Sequence, residues 1–270
     1  MDVFKLVEII KNHNIIIYGT GYAARNFYTA LRIQHLEHKV DCFAVTVPDK
    51  AKGNIDGIPI KSADTVIYTR ESYICIAVHE AIKNDIETYL IEHNIENYIW
   101  VHPYIMELAL GMPIKYHKKM KTRDIVQSQS QDNYLFAVRY LAIGHYYKKN
   151  DIGYPLYVKA LLLQCEKETA QKRLDRFIGL IDSWKRDGYQ QEKDIWIDEA
   201  YRLVDGTHRL SLACYHMLED IYCTVFPYSD NYDQVIKENH TLSMELLIEN
   251  GFSAQELEAL KRTQEMIRKQ

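Results

Sequence analysis

The first 110 residues alternate short apolar runs with amphipathic segments, and this alternation restricts the fold more than any other feature of the chain. The runs are NIIIYG at 14–19, KVDCFAVTV at 39–47 and SYICIAV at 72–78, and each is a candidate buried strand. Segments with apolar residues at helical spacing lie between them. Strands that are apolar throughout and separated by helices form parallel sheets covered on both faces. The sequence therefore predicts an α/β fold here.

Residues 111–133 interrupt this pattern. The segment GMPIKYHKKMKTRDIVQSQSQDN is polar and basic, lacks apolar periodicity and ends in a Ser/Gln cluster, which is typical of a linker. We therefore expect a domain at 1–112, a linker at 113–133 and a second domain at 134–270. The basic residues of the linker could alternatively touch a nucleotide or a membrane lipid; they are Lys115, Lys118, Lys119, Lys121 and Arg123.

The second domain mixes helices and strands. YLFAVRYLAIGHYYKK is predicted to be a helix, YPLYVKALLLQ a strand after a Gly-Tyr-Pro turn, and AQKRLDRFIGLIDSWKRDG a helix that ends at a glycine. DIWIDEAYRLVDG indicates two short strands around a polar turn, HRLSLACYHMLE a helix and DIYCTVFPY a final strand. The tail is helical, and SAQE at 253–256 is a capping box that opens its last helix. Together these elements predict an α+β domain with a helical tail.

Composition and charge exclude several classes of function. The 270 residues carry a formal net charge of −4, whereas a protein whose main task is to bind nucleic acid phosphates is usually strongly basic. The five cysteines show neither a CxxC pair nor a Cys/His spacing, so no metal site built by the chain alone is expected. No apolar run approaches about 20 residues, and the N-terminus lacks a signal-peptide pattern. We therefore expect a cytoplasmic protein without a membrane span.

The stretch YGTGYAAR places two glycines where the first predicted strand passes into a helix. Glycines at such a turn let the backbone approach a phosphate, while the helix amides point at it. The acidic residue that would hold the ribose of NAD is missing from the tip of the second strand, since Asp49 lies beyond a proline. We expect a nucleotide or sugar-nucleotide site at Gly19, Thr20, Gly21 and Tyr22; the alternative is that the small residues only permit close helix packing.

Several short motifs of the first domain together resemble a known family. IIIYGTG, DCFAVTVPDK, IDGIPI, YICIAV and ENYIWVHPY look like the Rossmann-like domain of bacterial surface-polysaccharide enzymes, such as the N-terminal domains of sugar acetyltransferases. The similarity covers most of residues 12–105. It implies a domain that binds a nucleotide-sugar or serves as a scaffold in polysaccharide biosynthesis.

The stretch VDGTHR, at 204–209, places a glycine, a histidine and an arginine at the start of a predicted helix. The glycine permits a tight turn, the first helical amides are available to an anion, and the two basic side chains can add charge-assisted bonds. The alternative is structural: Asp205 caps the helix and Arg209 pairs with Glu219 or Asp220. We expect a phosphate site made by Asp205, Gly206, Thr207, His208 and Arg209.

The same stretch belongs to a longer pattern that resembles the ParB/sulfiredoxin-like superfamily, which includes free-serine kinases. The matching elements are Arg176, Gly188, DIWID at 194–198 and DGTHR, and the similarity covers roughly residues 156–227. The resemblance implies that the turn holds nucleotide phosphates. Sulfiredoxin has a cysteine where this chain has Thr207, which excludes thiol chemistry there. ParB continues into a helix-turn-helix domain, and nothing similar follows here.

The kinase branch of this superfamily uses a carboxylate near the end of the first strand as the base toward the acceptor hydroxyl. Glu166 lies at about that place, shortly after the predicted strand, with Glu168 as the alternative, while His208, Arg209 and Mg²⁺ would carry the charge of the transferred phosphate. The structural alternative is that CEKETAQKR is an ordinary charged helix start. The leading hypothesis is therefore an ATP- and Mg²⁺-dependent, kinase-like phosphotransferase that acts on a small hydroxyl compound in surface-polysaccharide or sugar-nucleotide metabolism.

Two other hypotheses remain open. The chain could be a non-catalytic module that binds a nucleotide or nucleotide-sugar and organises biosynthetic enzymes, with these enzymes or a second copy of the chain as partners. It could also be a CTP-dependent, DNA-associated switch of the ParB kind, although the net charge makes nucleic acid an unfavourable partner.

Overall fold

The structure is a computed structural model that describes residues 2–47, 52–236 and 241–269. The chain forms two compact units: Met1–Met112 with Asp230–Val235, and Pro113–Ser229 with Ile236–Gln270. Both combine helices with a sheet, so the fold is mixed α/β, as predicted. No helix within the described ranges is long and apolar enough to cross a lipid bilayer.

The first unit is built on a six-stranded sheet. Its helices are α1 (Val3–Asn12), α2 (Tyr22–Ile33), α3 (Glu80–Glu92), α4 (Ile105–Leu110) and α10 (Tyr232–Val235), and its strands are β1 (Asn14–Tyr18), β2 (Val40–Val45), β3 (Asn54–Ile55), β4 (Ile58–Ser62), β5 (Ser72–Ile76) and β6 (Tyr98–Trp100).

The strands lie in the order β3-β4-β2-β1-β5-β6, and every neighbouring pair except the β3–β4 hairpin is parallel. The predicted parallel sheet is therefore confirmed. β1 lies at the centre, where Ile15, Ile16 and Ile17 are fully or almost fully buried. The chain passes from β1 to β2 on one side and returns to β5 on the other, and in open α/β sheets such a reversal leaves a crevice at the carboxyl ends of the strands.

The second unit has a four-stranded sheet and a group of helices. The helices are α5 (Thr122–Ser128), α6 (Leu135–Tyr146), α7 (Gly153–Leu162), α8 (Lys167–Asp187), α9 (Thr207–Tyr215), α11 (Met244–Glu249) and α12 (Ala254–Lys269), and the strands are β7 (Lys115–Lys121), β8 (Ile195–Asp198), β9 (Leu203–Asp205) and β10 (Asp220–Phe226).

In this sheet the order is β7-β10-β8-β9, with β8 and β10 parallel and the other pairs antiparallel. The two predicted short strands around a polar turn are the β8–β9 hairpin. Helix α9 has two buried faces: Leu210 and Ala213 belong to the core against the sheet, whereas Leu212 belongs to the core among the helices. A shift of α9 would therefore disturb both cores.

The predicted linker at 113–133 is wrong over most of its length, because residues 115–121 form the edge strand β7 and residues 122–128 form α5. β7 pairs with β10 through backbone hydrogen bonds, while its side chains are exposed or half-buried along the whole strand. A strand held by its backbone at a sheet edge needs no buried apolar face, and lysines are common on such edges. The apolar pattern that identifies strands in a sequence is therefore missing here.

The strand predicted for YPLYVKALLLQ is also wrong, since residues 153–162 form α7. The buried residues Leu156, Tyr157, Ala160 and Leu161 recur at helical spacing. The helix starts at Gly153, where the backbone lies so close to α6 that an added β-carbon would lie 2.0 Å from the Leu141 carbonyl oxygen. The Gly-Tyr-Pro sequence is thus a helix start, where proline is tolerated.

The predicted capping box is confirmed at the start of α12. The Ser253 amide donates to Glu256 Oε2 at 2.7 Å, and the Glu256 amide donates to Ser253 Oγ at 3.3 Å. Lys159 of α7 donates to the same Glu256 carboxylate at 2.8 Å. The pKa of Glu256 is lowered by these bonds, although burial opposes them. The cap therefore also ties the helical tail to α7.

We expect Gly206→Ala to destabilise the second unit by roughly 2 kcal/mol or more, because Gly206 has a φ of +98° and an added β-carbon would lie 2.6 Å from Ile195 Cγ2. The matched control is Gly179→Ala on α8, where nothing lies within 4 Å of the added carbon, and a gain of about 0.5–1 kcal/mol is expected. Urea unfolding measures both variants. Equal stability of the two would contradict the assigned turn geometry.

A second prediction concerns the ion pairs that fasten β7. Asp220 lies 3.0 Å from Lys119 Nζ and 3.1 Å from Lys121 Nζ, and these lysines lower the pKa of its carboxyl group. Because the pKa of Asp220 is lower in the folded chain than in the unfolded chain, the ion pairs stabilise the fold at any pH above the ordinary carboxyl pKa. Their contribution is lost as the pH falls through the lowered pKa.

Asp220→Asn is therefore expected to be less stable than the parent at pH 7 and to approach the parent as the pH falls to about 3. Glu219→Gln should have a smaller effect, since Glu219 is 80% exposed and Asp220 only 22% exposed. Denaturation midpoints across this pH range measure the difference. A gap that stays constant with pH would show that these pairs do not fasten β7.

Candidate functional site

The start of α9 is the centre of the site predicted from the sequence. Gly206 is its N-cap in a left-handed conformation, and no side chain of the described residues caps the helix. The first hydrogen bond of the helix runs from the Leu210 amide to the Gly206 carbonyl oxygen at 2.9 Å. The amides ahead of Leu210 point out of the helix end, where the helix dipole is positive. The alternative in which Asp205 caps the helix is therefore wrong.

Arg209 connects the hairpin to α9. Its Nη1 donates to the Asp194 carbonyl oxygen at 2.6 Å, and its Nη2 lies 3.6 Å from Asp205 Oδ2. The alternative partners Glu219 and Asp220 pair with lysines of β7 instead. Arg209 thus holds the turn in place, and its guanidinium is already engaged by the protein on two sides.

The His208 imidazole is oriented by two buried aromatic residues. Its Nε2 lies 2.8 Å from the Tyr157 hydroxyl, and its ring centroid is 4.7 Å from that of Phe177. Tyr157 and Phe177 lie on α7 and α8 and are each only 2% exposed. Three helices therefore meet at His208. Nothing in the sequence linked Tyr157 to His208.

Arg139 is a residue near this cluster that the sequence analysis did not identify. It lies on α6, is 8% exposed and donates from Nη1 to the Leu135 carbonyl oxygen at 3.1 Å. Its Nε has no hydrogen-bond partner among the described residues. Burial lowers the pKa of Arg139. The available signal was a single arginine within the apolar run LFAVRYLAIG.

Electrostatics link Arg139 to Tyr157. Burial raises the pKa of Tyr157, and the positive charges of Arg139 and Arg173 partly oppose this rise. The phenol is therefore neutral at pH 7. The charges of Arg139 on α6 and Arg173 on α8, which act on Tyr157, are thus positive. The Tyr157 hydroxyl itself lies 2.8 Å from His208 Nε2 in the first turn of α9.

The structure does not bring the two candidate base residues to the start of α9. Glu166 is the exposed N-cap residue of α8, and no hydrogen bond or ion pair joins it to residues 205–209 in the described part of the chain. Glu168 is 81% exposed and pairs with Lys172 at 2.7 Å. The expected position at the end of a strand is wrong for Glu166, because the preceding segment is α7.

The other elements of the ParB-like pattern have structural positions. Arg176 is exposed on α8, and Gly188 ends that helix with a φ of +74°. Asp198 is 1% exposed and receives bonds from the Ala200 amide at 3.0 Å and from Arg202 Nε at 2.6 Å. The carboxylate of the IWID strand therefore closes the β8–β9 turn.

The glycine turn of the first unit follows β1. Gly19 has a φ of +117°, and an added β-carbon would lie 3.0 Å from both the Ala77 carbonyl oxygen and Val78 Cγ1, so this position requires glycine. Gly21 is the N-cap of α2, lacks a side-chain cap and has no atom within 4 Å of an added β-carbon. Packing does not require Gly21, and the space beside it is open.

The other residues of that turn lie at the same edge of the sheet. Thr20 is half-buried, and the Tyr22 hydroxyl donates to the Val235 carbonyl oxygen of α10 at 3.5 Å. His79 and His102 follow β5 and β6, and their ring centroids are 5.7 Å apart. Asp49 lies outside the described residues. Nothing in the sequence indicated that His102 and His79 lie side by side.

A cavity of about 510 Å³ lies at the opposite end of α9 from Gly206. It combines an apolar floor with a charged rim, and its lining includes Lys121, Arg123, Cys214, Met217, Glu219 and Arg268. Burial raises the pKa of the Cys214 thiol to about 12, so this thiol is protonated at neutral pH and is not a nucleophile.

Within the described residues, no group of three or more His, Cys, Asp or Glu side chains could hold a metal ion. Mg²⁺ at a phosphate site commonly needs only one or two carboxylates, because the phosphates and water supply its other ligands. Asp205 is 64% exposed and lies just before the start of α9. It could therefore supply the one carboxylate that such a Mg²⁺ site needs.

Comparisons with protein-family models, with curated proteins and with solved structures each found no match. The resemblances to the ParB/sulfiredoxin-like and Rossmann-like families therefore depend on the motifs of this chain alone.

Proposed function

We propose that this chain is an ATP-dependent, kinase-like phosphotransferase whose second unit binds the nucleotide phosphates at the start of α9. The observation that carries the proposal is that α9 starts directly after Gly206 without a side-chain cap from the described residues. His208 lies in the first turn of this helix. Backbone amides at the positive end of a helix dipole are suited to an anion such as phosphate. The ParB/sulfiredoxin-like pattern of the sequence supports the same site.

The residues of the turn take different parts in this proposal. Gly206 keeps the helix start clear of a side chain, Thr207 and His208 lie in its first turn, and Arg209 holds the turn through Asp194. A carboxylate repels phosphate, so Asp205 would act through Mg²⁺, which neutralises phosphate charge when bound. Glu166 is the proposed base for the acceptor hydroxyl, and this role depends on the sequence resemblance.

A second candidate is a non-catalytic module that binds nucleotides or nucleotide-sugars and organises partner enzymes. Two observations favour it. Glu166 has no hydrogen bond or ion pair to residues 205–209 in the described ranges, and Gly21 leaves open space at the crevice edge of the first sheet. The proposed setting in surface-polysaccharide metabolism applies to both candidates, since it comes from the resemblance of the first unit.

We expect His208→Gln to weaken ATP binding by about tenfold or more, because the change removes a charge-assisted contact and the ring that Tyr157 orients. The matched control is His216→Gln at the last turn of the same helix, which should bind ATP like the parent. Isothermal titration calorimetry with Mg²⁺ and ATP measures both. Parental affinity in His208→Gln would refute phosphate binding at this turn.

The variant Glu166→Gln distinguishes phosphate transfer from ATP binding. If Glu166 accepts the proton of the acceptor hydroxyl, the variant should bind ATP normally and lose about 100-fold or more in turnover. Glu168→Gln tests the alternative base, and it should keep parental turnover if Glu166 is the base, since the Glu168 carboxylate pairs with Lys172. ADP release with hydroxyl acceptors is the measurement. Parental turnover in Glu166→Gln would exclude it as base, and binding without turnover in the parent would favour the non-catalytic candidate.

A further inference from the structure

Arg139 is a buried cation that has no partner of opposite charge among the described residues. The side chain is 8% exposed, and the one hydrogen bond that it makes within the described ranges goes to the neutral Leu135 carbonyl oxygen. No carboxylate lies within 4.0 Å of its guanidinium in the described part of the chain. Buried charges in proteins are nearly always paired, because an unpaired one loses its hydration without compensation.

The groups that act on Arg139 do not supply a negative charge. Tyr157 is an acidic group that acts on it, and burial raises the pKa of this phenol, so it stays neutral. Arg173 is a second cation that acts on both residues and further disfavours the charge of Arg139. A guanidinium remains protonated at physiological pH even so. The local charge is therefore positive, and the described residues do not compensate it.

This cluster lies beside the proposed nucleotide site. The Tyr157 hydroxyl, which Arg139 and Arg173 influence, is 2.8 Å from His208 Nε2 in the first turn of α9. Helices α6 and α9 also pack against each other. Tyr157 and His208 thus connect the surroundings of Arg139 with the helix start that is proposed to hold the phosphate.

We propose that Arg139, assisted by Arg173, binds a carboxylate or phosphate group of the acceptor, and that the acceptor is therefore an acidic hydroxyl compound. The assignment of this anion to an acceptor substrate rests on the proposed function. The anion site itself depends only on the buried guanidinium, which has no acidic partner among the described residues. Arginine is suited to both groups, because its planar donors match two oxygens of either anion.

The first test is an anion titration of the full chain. The melting temperature is followed in sodium phosphate, in sodium acetate and in sodium chloride at matched ionic strength, with saturating Mg²⁺ and ATP to occupy the start of α9. The parent should be stabilised by phosphate or acetate beyond the chloride control, and which anion acts identifies the preferred group. No stabilisation by either anion would overturn the proposal.

Arg139→Met is the decisive variant, because methionine fills similar space without charge. If Arg139 serves a ligand, the variant should fold at least as stably as the anion-free parent, since an unpaired buried charge is removed, and should bind the anion about tenfold or more weakly. Arg176→Met, an exposed arginine on α8, is the control and should respond to anions like the parent. An undiminished anion response in Arg139→Met would refute the site. If that variant fails to fold, Arg139→Lys is used instead. Lysine keeps the positive charge but lacks the paired donors of the guanidinium, so this variant should show a weakened anion response.

A kinetic test uses three acceptors that differ in one group: glycerol, glycerate and glycerol 3-phosphate. ADP release should be faster with one of the acidic compounds, and Arg139→Met should raise KM for that compound more than it lowers kcat. Equal rates with glycerol would contradict an acidic acceptor. If no acceptor is turned over although the anion titration succeeds, the proposed transferase activity fails while the anion site stands.

Discussion

The close approach of Gly206 to Ile195 is the contact on which the second unit depends. A left-handed glycine lets the chain leave β9 and enter α9 while its α-carbon lies against a strand residue of the same hairpin. Helix α9 then places Leu210 in the core against the sheet and Leu212 in the core among the helices. This one turn therefore determines where α9 enters both cores. Among the described residues, no side chain caps the helix start that follows it.

The side chains and the backbone amides of this turn are engaged differently. Arg209 is held by Asp194 and Asp205, so part of the basic character of DGTHR serves the turn itself. His208 is oriented from the other side by Tyr157 and Phe177. The protein engages the side chains of His208 and Arg209, whereas the first amides of the helix are directed outward.

Sequence reasoning succeeded where one element carries its own pattern. The buried strands of the first unit, the β8–β9 hairpin and the capping box at Ser253 all follow from apolar runs or local turn chemistry. It failed where the neighbours decide. β7 is a strand because β10 offers backbone partners, and α7 is a helix because its apolar residues meet α6 and α8. The misassignment of α7 also misplaced Glu166.

The sequence by itself determined the alternation of strands and helices, the turn at Gly206 and the residue types at the start of α9, because each depends on neighbours within a few positions. Only the tertiary structure decided that Tyr157 meets His208 and that Arg139 is buried without an acid. Those facts depend on three helices from separate parts of the chain, and burial changes the electrostatics of a side chain in a way that its own sequence neighbourhood does not encode.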